Sequence, residues 1–346
     1  MKYRSFTWTP GLFIAVGIFL NPALSPSLAA QVPDAPGPAI PGAEEVSTFS
    51  IIAFDPGTQE LGIGVQSRAF RAGAIVSWAE AGIGAVATQA SANQLYKQRA
   101  MELLQEGHTP QEAVDIMTRE DPGRDVRQVA VIDVQGRIGV HTGADRVSRP
   151  NQFAGHIVGD NYSVQGNTLA GEWVLAEMAR AYEETEGTMG ERLLASLVAG
   201  EDAGGDVRGM QAGSILVVRP LDGNRTTDRW VDIRVDDADD PYRELKRLLD
   251  MSMSGEQAER AMELWSQGRR EEAIPAMKRA IEMNPRRDNW VFQLSEWYAE
   301  SSEDRAALNT LREAIRTNPQ WKVAALESPA FVRFRSDAEF LQVTRD

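Results

Sequence analysis

The sequence predicts an α+β protein: a four-layer αββα sandwich followed by a small all-α domain. Three observations carry that expectation. From Thr48 to Val235, pairs of segments alternate apolar and polar residues with the two-residue period of half-buried strands. Two pairs of longer-period, helix-like segments interrupt them. Beyond the acidic stretch Asp236–Pro241 only the helical period remains. Segregated strand and helix runs argue for α+β and against a parallel alternating fold. Strand pairs and helix pairs that are both apolar on one face are satisfied by stacking helix–sheet–sheet–helix.

Taken in order, Thr48 to Asp55 reads as a strand, Pro56-Gly57 as its turn and Glu60 to Ser67 as its hairpin partner. Ala74 to Glu80 and Ile83 to Gln89 form a second strand pair around Ala81-Gly82. Gln94 to Gln105 and Pro110 to Arg119 have helical spacing, and Gly107 stops the first. Thr109, Pro110 and Glu112 have the spacing of a capping box with proline at the first helical position. Strands return at Gln128 to Val134 and Arg137 to Thr142, helices at Gly171 to Glu184 and Met189 to Ala199, and strands at Ser214 to Arg219 and Trp230 to Val235.

The tail carries an internal repeat. Gly268, Ala273, Ala280 and Pro285 form one set of anchors, and Tyr298, Ala307, Ala314 and Pro319 a second. The alanine and proline pairs stand 34 residues apart, the tetratricopeptide period, with small residues where paired helices touch. An irregular helical bundle is the alternative. Such repeats bind protein or peptide partners, so the tail is expected to recruit one. Ser328 to Val343 is expected to cap the array.

The start of the chain reads as a targeting segment. Lys2 and Arg4 precede an apolar run, Gly11 to Leu20, followed by Ser27-Leu28-Ala29-Ala30. That pattern fits a secretory signal peptide over residues 1–30; the run is too short to cross about 30 Å of hydrocarbon comfortably. Export to the periplasm or the exterior is expected, without stable membrane insertion once the signal is removed. Residues 31–47 form a proline-rich linker, so ordered structure is expected from Thr48. The sandwich is assigned to residues 48–238 and the helical domain to 241–346.

Composition removes whole function classes. Lys plus Arg number 36 and Asp plus Glu 50, a formal charge of −14, which disfavours nucleic-acid binding. No cysteine means no disulfide scaffold, thiol nucleophile or Cys-ligated metal. Three histidines, His108, His141 and His156, show no ligand spacing, so no metal and no cofactor are expected. A Ser67, His156, Asp160 triad lacks the GxSxG elbow. Gly62-x-Gly64 and Gly82-x-Gly84 lack the context of a nucleotide loop.

Several runs resemble a known family: Thr48-Phe-Ser-Ile-Ile-Ala, Ala81 to Ala90 (AGIGAVATQA), Arg127-Gln128, Gln165-Gly166-Asn167 and Ala203 to Gly209 (AGGDVRG). Together they resemble the N-terminal-nucleophile (Ntn) hydrolase-like family named domain of unknown function 1028, over about Thr48 to Val218. The resemblance implies an Ntn-hydrolase-like αββα sandwich and no known substrate. In Ntn hydrolases the first residue of the mature domain is the nucleophile and its own α-amine the base. A hydroxyl needs a base within hydrogen-bond reach, and a free α-amine has a pKa near 7.7–8.0. The resemblance places Thr48 in that role. Signal cleavage alone leaves a leader before it, so a second cut between Ser47 and Thr48 is required. Otherwise Thr48 is a β-branched residue opening an edge strand, with Ser50 sharing its face.

The remaining candidates each carry two readings. Asn167 supplies an oxyanion donor through its side-chain amide, or tolerates left-handed geometry in a turn. Asp206 orients an amine and Arg208 clamps a substrate carboxylate, or the two pair to hold their loop. Ser67, Thr88 and Gln89 end strands, where polar groups contact substrate. Arg127 contacts a carboxylate or makes a salt bridge, and Asn93 caps a helix. The expected activity is an exported amidohydrolase acting on a small-molecule amide, ureido or N-acyl bond. The alternative is a non-catalytic envelope binding or scaffold protein working through the helical tail.

Overall fold

Strict alternation along the strands gives each sheet two buried faces, and three separate apolar cores result. The computed structural model describes residues 45–221, 223 and 226–345. The expected signal segment and most of the linker lie outside these residues. Chain order begins β1 (Glu45–Val46), β2 (Thr48–Asp55), β3 (Glu60–Ser67), α1 (Ala72–Val76), β4 (Ser77–Glu80), β5 (Gly84–Ser91), α2 (Leu95–Gln105) and α3 (Pro110–Glu120). It continues with β6 (Arg127–Asp133), β7 (Ile138–Thr142), α4 (Ala144–Val147), β8 (Phe153–Gly159), β9 (Tyr162–Leu169), α5 (Trp173–Glu184), α6 (Met189–Asp202), β10 (Ala212–Val218) and β11 (Arg229–Val235).

Two antiparallel sheets form. One has the order β1-β5-β6-β7, with β4 also paired to β5; the other is β11-β10-β3-β2-β9-β8. Between the sheets, Ile52, Phe54, Ile63 and Val65 meet Ala85, Ala87, Ala130 and Ile132. On the outer face of the six-stranded sheet, Phe49, Ile51 and Val164 pack against Leu175, Met178, Leu193 and Leu197 of α5 and α6. On the outer face of the other, Val86, Val129 and Val131 pack against Tyr96, Met101, Val114 and Met117 of α2 and α3. Successive residues of one strand thus serve different cores, which is the physical origin of the four layers.

Glycine lets the outer helices approach. A Cβ at Gly62 would lie 2.7 Å from the Met189 side chain on α6, so the Gly62-x-Gly64 pair is explained by helix packing. A Cβ at Gly139 on β7 would lie 2.3 Å from the carbonyl oxygen of Pro110, in backbone that cannot swing aside. Gly139→Ala is therefore expected to push the start of α3 off the sheet and to cost about 2 kcal/mol, read by thermal or denaturant unfolding. The Thr109 capping box is formed, with Glu112 closing it from the third helical position.

Several sequence expectations need correction. Ala74 to Val76 is helical, and the strand begins only at Ser77. The hairpin β8–β9 is absent from the sequence reading, because one face of β9 carries Ser163, Gln165 and Asn167, which masks the apolar alternation. Gln165-Gly166-Asn167 consequently lies inside a strand and not in a turn. Thr48 opens an interior strand, since β2 lies between β3 and β9. Backbone pairing starts before Thr48, with Glu45 opposite Ser91 and Val46 opposite Ala90.

The remainder is helical: α7 (Pro241–Ser266), α8 (Arg270–Met283), α9 (Asp288–Glu300), α10 (Asp304–Thr317), α11 (Trp321–Glu327), a 3-10 segment (Pro329–Phe334) and α12 (Ala338–Arg345). Leu245 and Leu249, at the start of α7, are buried in the same core as α5 and α6 and contribute about 2 kcal/mol each. The tail is thus joined to the sandwich by packing as well as by chain. Ala273, Ala280, Ala307 and Ala314 are fully buried, as close helix contact requires. No helix among the described residues is long and apolar enough to cross a membrane.

Candidate active site

At one end of the layer between the sheets, the apolar face turns polar. Along β2 the inward series Phe54, Ile52 continues as Ser50 and Thr48; along β3, Ile63 and Val65 continue as Ser67. On the facing sheet, Ala85 and Ala87 give way to Gln89, and Ile132 and Ala130 to Gln128. With Gln165 and Asn167 of β9 these side chains are almost wholly buried. Buried polar groups must pair with one another, and here they do.

Gln128 is the hub. Its Oε1 accepts from Gln89 Nε2 at 2.8 Å and from Asn167 Nδ2 at 3.0 Å. Its Nε2 donates to Thr142 Oγ1 and to the carbonyl oxygens of Gly155 and Gly166, each at 3.0 Å. Ser50 Oγ donates to Gln89 Oε1 at 2.7 Å and accepts from Gln165 Nε2 at 2.6 Å. The carbonyl oxygen of Thr48 accepts from both Gln89 Nε2 and Asn167 Nδ2 at 3.3 Å. Amides from two strands therefore fix the backbone of Thr48, and Gln128 on a third holds both of them.

The hydroxyl of Thr48 is directed elsewhere. Thr48 Oγ1 donates to Ser67 Oγ at 3.2 Å, and Ser67 Oγ donates to the carbonyl oxygen of Ser47 at 2.6 Å. The same oxygen accepts from Arg208 Nη2 at 2.9 Å. Arg208 is held by Asp206, whose Oδ2 lies 2.7 Å from Nη2 and whose Oδ1 lies 3.0 Å from Nε. Asp206 is itself placed by backbone bonds between its loop and the end of β9: Val207 N–H to Thr168 O and Ala170 N–H to Gly205 O, both at 3.0 Å. The Ser47–Thr48 peptide is thus flanked by a hydroxyl and a guanidinium on one side and two amides on the other.

Two residues beside it are strained. Ala90, opposite Val46, has φ 64°, and Thr168, next to Asn167, has φ 61°. Left-handed backbone at non-glycine residues costs of order 1–3 kcal/mol each, most for a β-branched side chain, and concentrates at functional sites.

Of the expected site residues, the structure brings together Thr48, Ser67, Gln89, Asn167, Asp206 and Arg208. Asn167 holds the carbonyl of Thr48 and not that of Ser47, so it positions the residue; the donors on the Ser47 carbonyl are Ser67 and Arg208. Asp206 orients Arg208. Thr88 points the other way, its hydroxyl 3.3 Å from Asn93 O, because it alternates with Gln89. Arg127 likewise alternates with Gln128: its Nε donates to Asp121 at 3.0 Å and its Nη1 to Ser91 O at 2.5 Å. Asn93 Oδ1 accepts from Leu95 N–H at 3.2 Å, one residue ahead of the helix cap.

The charges around this layer follow from burial. Asp121 also accepts from Tyr96 and Asn93; burial opposes its charge, but these bonds and those from Gly123 N–H and Arg127 hold its pKa below the usual value. Burial, reinforced by Asp206 and Asp202, raises the pKa of Glu201, which accepts from Gln66 Nε2 at 3.3 Å. Burial and then His141 lower the pKa of His156, which favours a neutral ring against Thr142 Oγ1 at 3.2 Å. His156 and Ser67 therefore belong to different contacts. Among the described residues no group of three or more acidic or histidine side chains is placed to hold a metal ion.

Gln128, Gln165 and Ser163 are site-layer residues that the sequence reading left out. Their signal was an amide or hydroxyl at a strand position where alternation demands an apolar residue.

The model of the family of unknown function (DUF1028) matches residues 48–245. The chain belongs to this family. Its matched segment starts at Thr48 and ends at Leu245, leaving most of the helical tail of this DUF1028 chain outside. The crystal structure of protein SPO2555 from Silicibacter pomeroyi, also assigned to DUF1028, is similar with a TM-score of 0.54 and 30% identity, covering 60% of this chain and 86% of that one. No curated protein matches the chain.

Proposed function

We propose that this chain is an exported amidohydrolase of the N-terminal-nucleophile type, activated by a cut between Ser47 and Thr48. The observation that carries this reading is the Ser47 carbonyl oxygen, which accepts from Ser67 Oγ and Arg208 Nη2 beside the hydroxyl of Thr48. Donors on a carbonyl stabilise the negative charge that develops there when a nucleophile attacks. Attack of Thr48 Oγ on the Ser47 carbonyl carbon closes a five-membered ring. The C–N bond breaks, the hydroxyl proton passes to the nitrogen, and an ester remains. Water then adds its hydroxyl to the carbonyl carbon and returns a proton to Thr48 Oγ.

The product is a free amine on Thr48 next to its own hydroxyl. Near neutral pH a useful fraction of such an amine is unprotonated and takes the hydroxyl proton, which it passes to the leaving amine of a substrate. A small amide, ureido or N-acyl bond is the substrate class this chemistry serves. The four-layer arrangement and the family match starting at Thr48 support the Ntn-hydrolase-like reading. Export through a signal peptide over residues 1–30, to the periplasm or the exterior, belongs to the same proposal. The helix pairs α7–α8 and α9–α10 are read as tetratricopeptide-like units that recruit a protein or peptide partner. The alternative, a non-catalytic envelope binding or scaffold protein, is favoured by one observation: Thr48 is 0% exposed behind its paired leader.

Incubating the purified full chain and following its intact mass tests the proposal. The expected result is loss of every residue before Thr48. Arg208→Ala is expected to slow that step by about 100-fold or more, the usual effect of removing one such donor, with Arg208→Lys in between. An unchanged mass after prolonged incubation contradicts self-cleavage.

A further inference from the structure

The outer edge of β5 is shared by two short strands. β4 pairs with it over Gly84 to Ala87, and the leader segment β1 pairs with it at Ala90 and Ser91. On its other edge β5 is continuously paired with β6. Parting the chain between Ser47 and Thr48 therefore frees one short, defined stretch of sheet edge, directly beside the Thr48 amine. Exposed edges accept extended chains through backbone hydrogen bonds, and neighbouring side chains select among them.

Guanidinium groups gather at that edge, two of them also paired with carboxylates, Arg127 with Asp121 and Arg208 with Asp206. Two buried guanidinium groups converge on Ser91, the residue opposite Glu45: Arg127 Nη1 donates to its carbonyl and Arg146 Nη2 to its hydroxyl at 2.9 Å. Arg146 Nε also donates to Val126 O at 3.0 Å, so the guanidinium is fixed in place. A third, Arg208, lies at the other end, on the Ser47 carbonyl. The segment that occupies this edge in the intact chain is Glu45–Val46, and in the sequence a second glutamate, Glu44, precedes it.

We propose that the leader marks the acyl-side subsites of the enzyme, and that the substrate is an extended peptidyl chain with an acidic residue opposite Ser91. Its scissile carbonyl takes the place of that of Ser47, between Ser67 and Arg208. The residue two positions upstream then stands where Glu45 stands. This proposal rests on Thr48 being the mature N-terminus and narrows the substrate class from small amides to peptide-like ones. The two left-handed residues lie at this place: Ala90 on the edge itself, opposite Val46, and Thr168 beneath the Asp206–Arg208 loop, its carbonyl accepting from Val207 N–H.

The test uses residues 48–346 released from a ubiquitin fusion; none of the three sandwich cores has a member before Phe49. Binding of N-acetyl-Gly-Ala-Glu-Glu-Val-Ser is measured by calorimetry, and hydrolysis with the same peptide carrying 7-amino-4-methylcoumarin on the serine carboxyl. Binding is expected, and replacing the second glutamate by lysine should weaken it about 10-fold or more, since like charges placed together are strongly unfavourable. Equal binding of the glutamate and lysine peptides, or binding of neither, overturns the inference. Binding with acid preference but no release of the coumarin upholds the edge site and removes the hydrolase reading. Release of coumarin without acid preference does the reverse.

Discussion

Thr48→Ala is expected to leave the chain at full leader length and without amidase activity, a fall of about 1000-fold or more, because nucleophile and base both reside on that residue. The loss is not one of folding. The substitution removes one buried hydroxyl and its bond to Ser67, at a cost of about 1 kcal/mol. Every amide bond to the Thr48 carbonyl is retained, because those bonds are to backbone. Intact mass and circular dichroism of the same preparation separate the two effects. Thr48→Ser keeps the hydroxyl and is expected to process and to hydrolyse. If Thr48→Ala is trimmed at the same bond and the same rate, an external protease makes the cut.

Gln128→Leu is expected to have the largest effect on stability of any substitution in the site layer. Leucine nearly matches the volume but offers no polar atom. The side-chain amides of Gln89 and Asn167 lose a shared acceptor, and the carbonyls of Gly155 and Gly166 lose their donor, in a layer closed to water. At about 1–3 kcal/mol for each orphaned group, partly relieved by relaxation, a loss of about 3–5 kcal/mol follows. In a domain of this size that lowers the melting temperature by about 10 °C. Processing should slow as well, since Gln89 and Asn167 fix the carbonyl of Thr48. A melting temperature within about 2 °C of the parent protein would mean that the network carries little of the fold's stability.

Much of the architecture was legible because alternation is a strong signal where both faces of a strand are buried by apolar residues. β2, β3 and the capped helix α3 lie where the residues predict. The hairpin β8–β9 was hidden for the same reason that it matters: Gln165 and Asn167 occupy positions that a core would give to valine or leucine. Thr88 and Arg127 were drawn into the candidate site by their place in the chain. One-residue alternation sends both to the opposite face from Gln89 and Gln128. Of the two readings of Arg208, a clamp for a substrate carboxylate or a partner of Asp206, the structure displays the pair with Asp206; only the fold shows the loop returning to Ser47, far away in sequence. The pairing of Glu45 and Val46 with β5 was illegible too, because a proline-rich leader carries no periodicity.

The most direct measurement is N-terminal sequencing of the protein recovered from the cell envelope after expression with its own leader. Thr-Phe-Ser-Ile-Ile as the first five residues is the predicted result, since only a terminal threonine has the free amine the chemistry needs. A protein that begins at or near Gln31 and still cleaves amides would contradict the assignment of that amine as the base. One that begins there and cleaves nothing would leave the buried amide layer as the foundation of a binding protein.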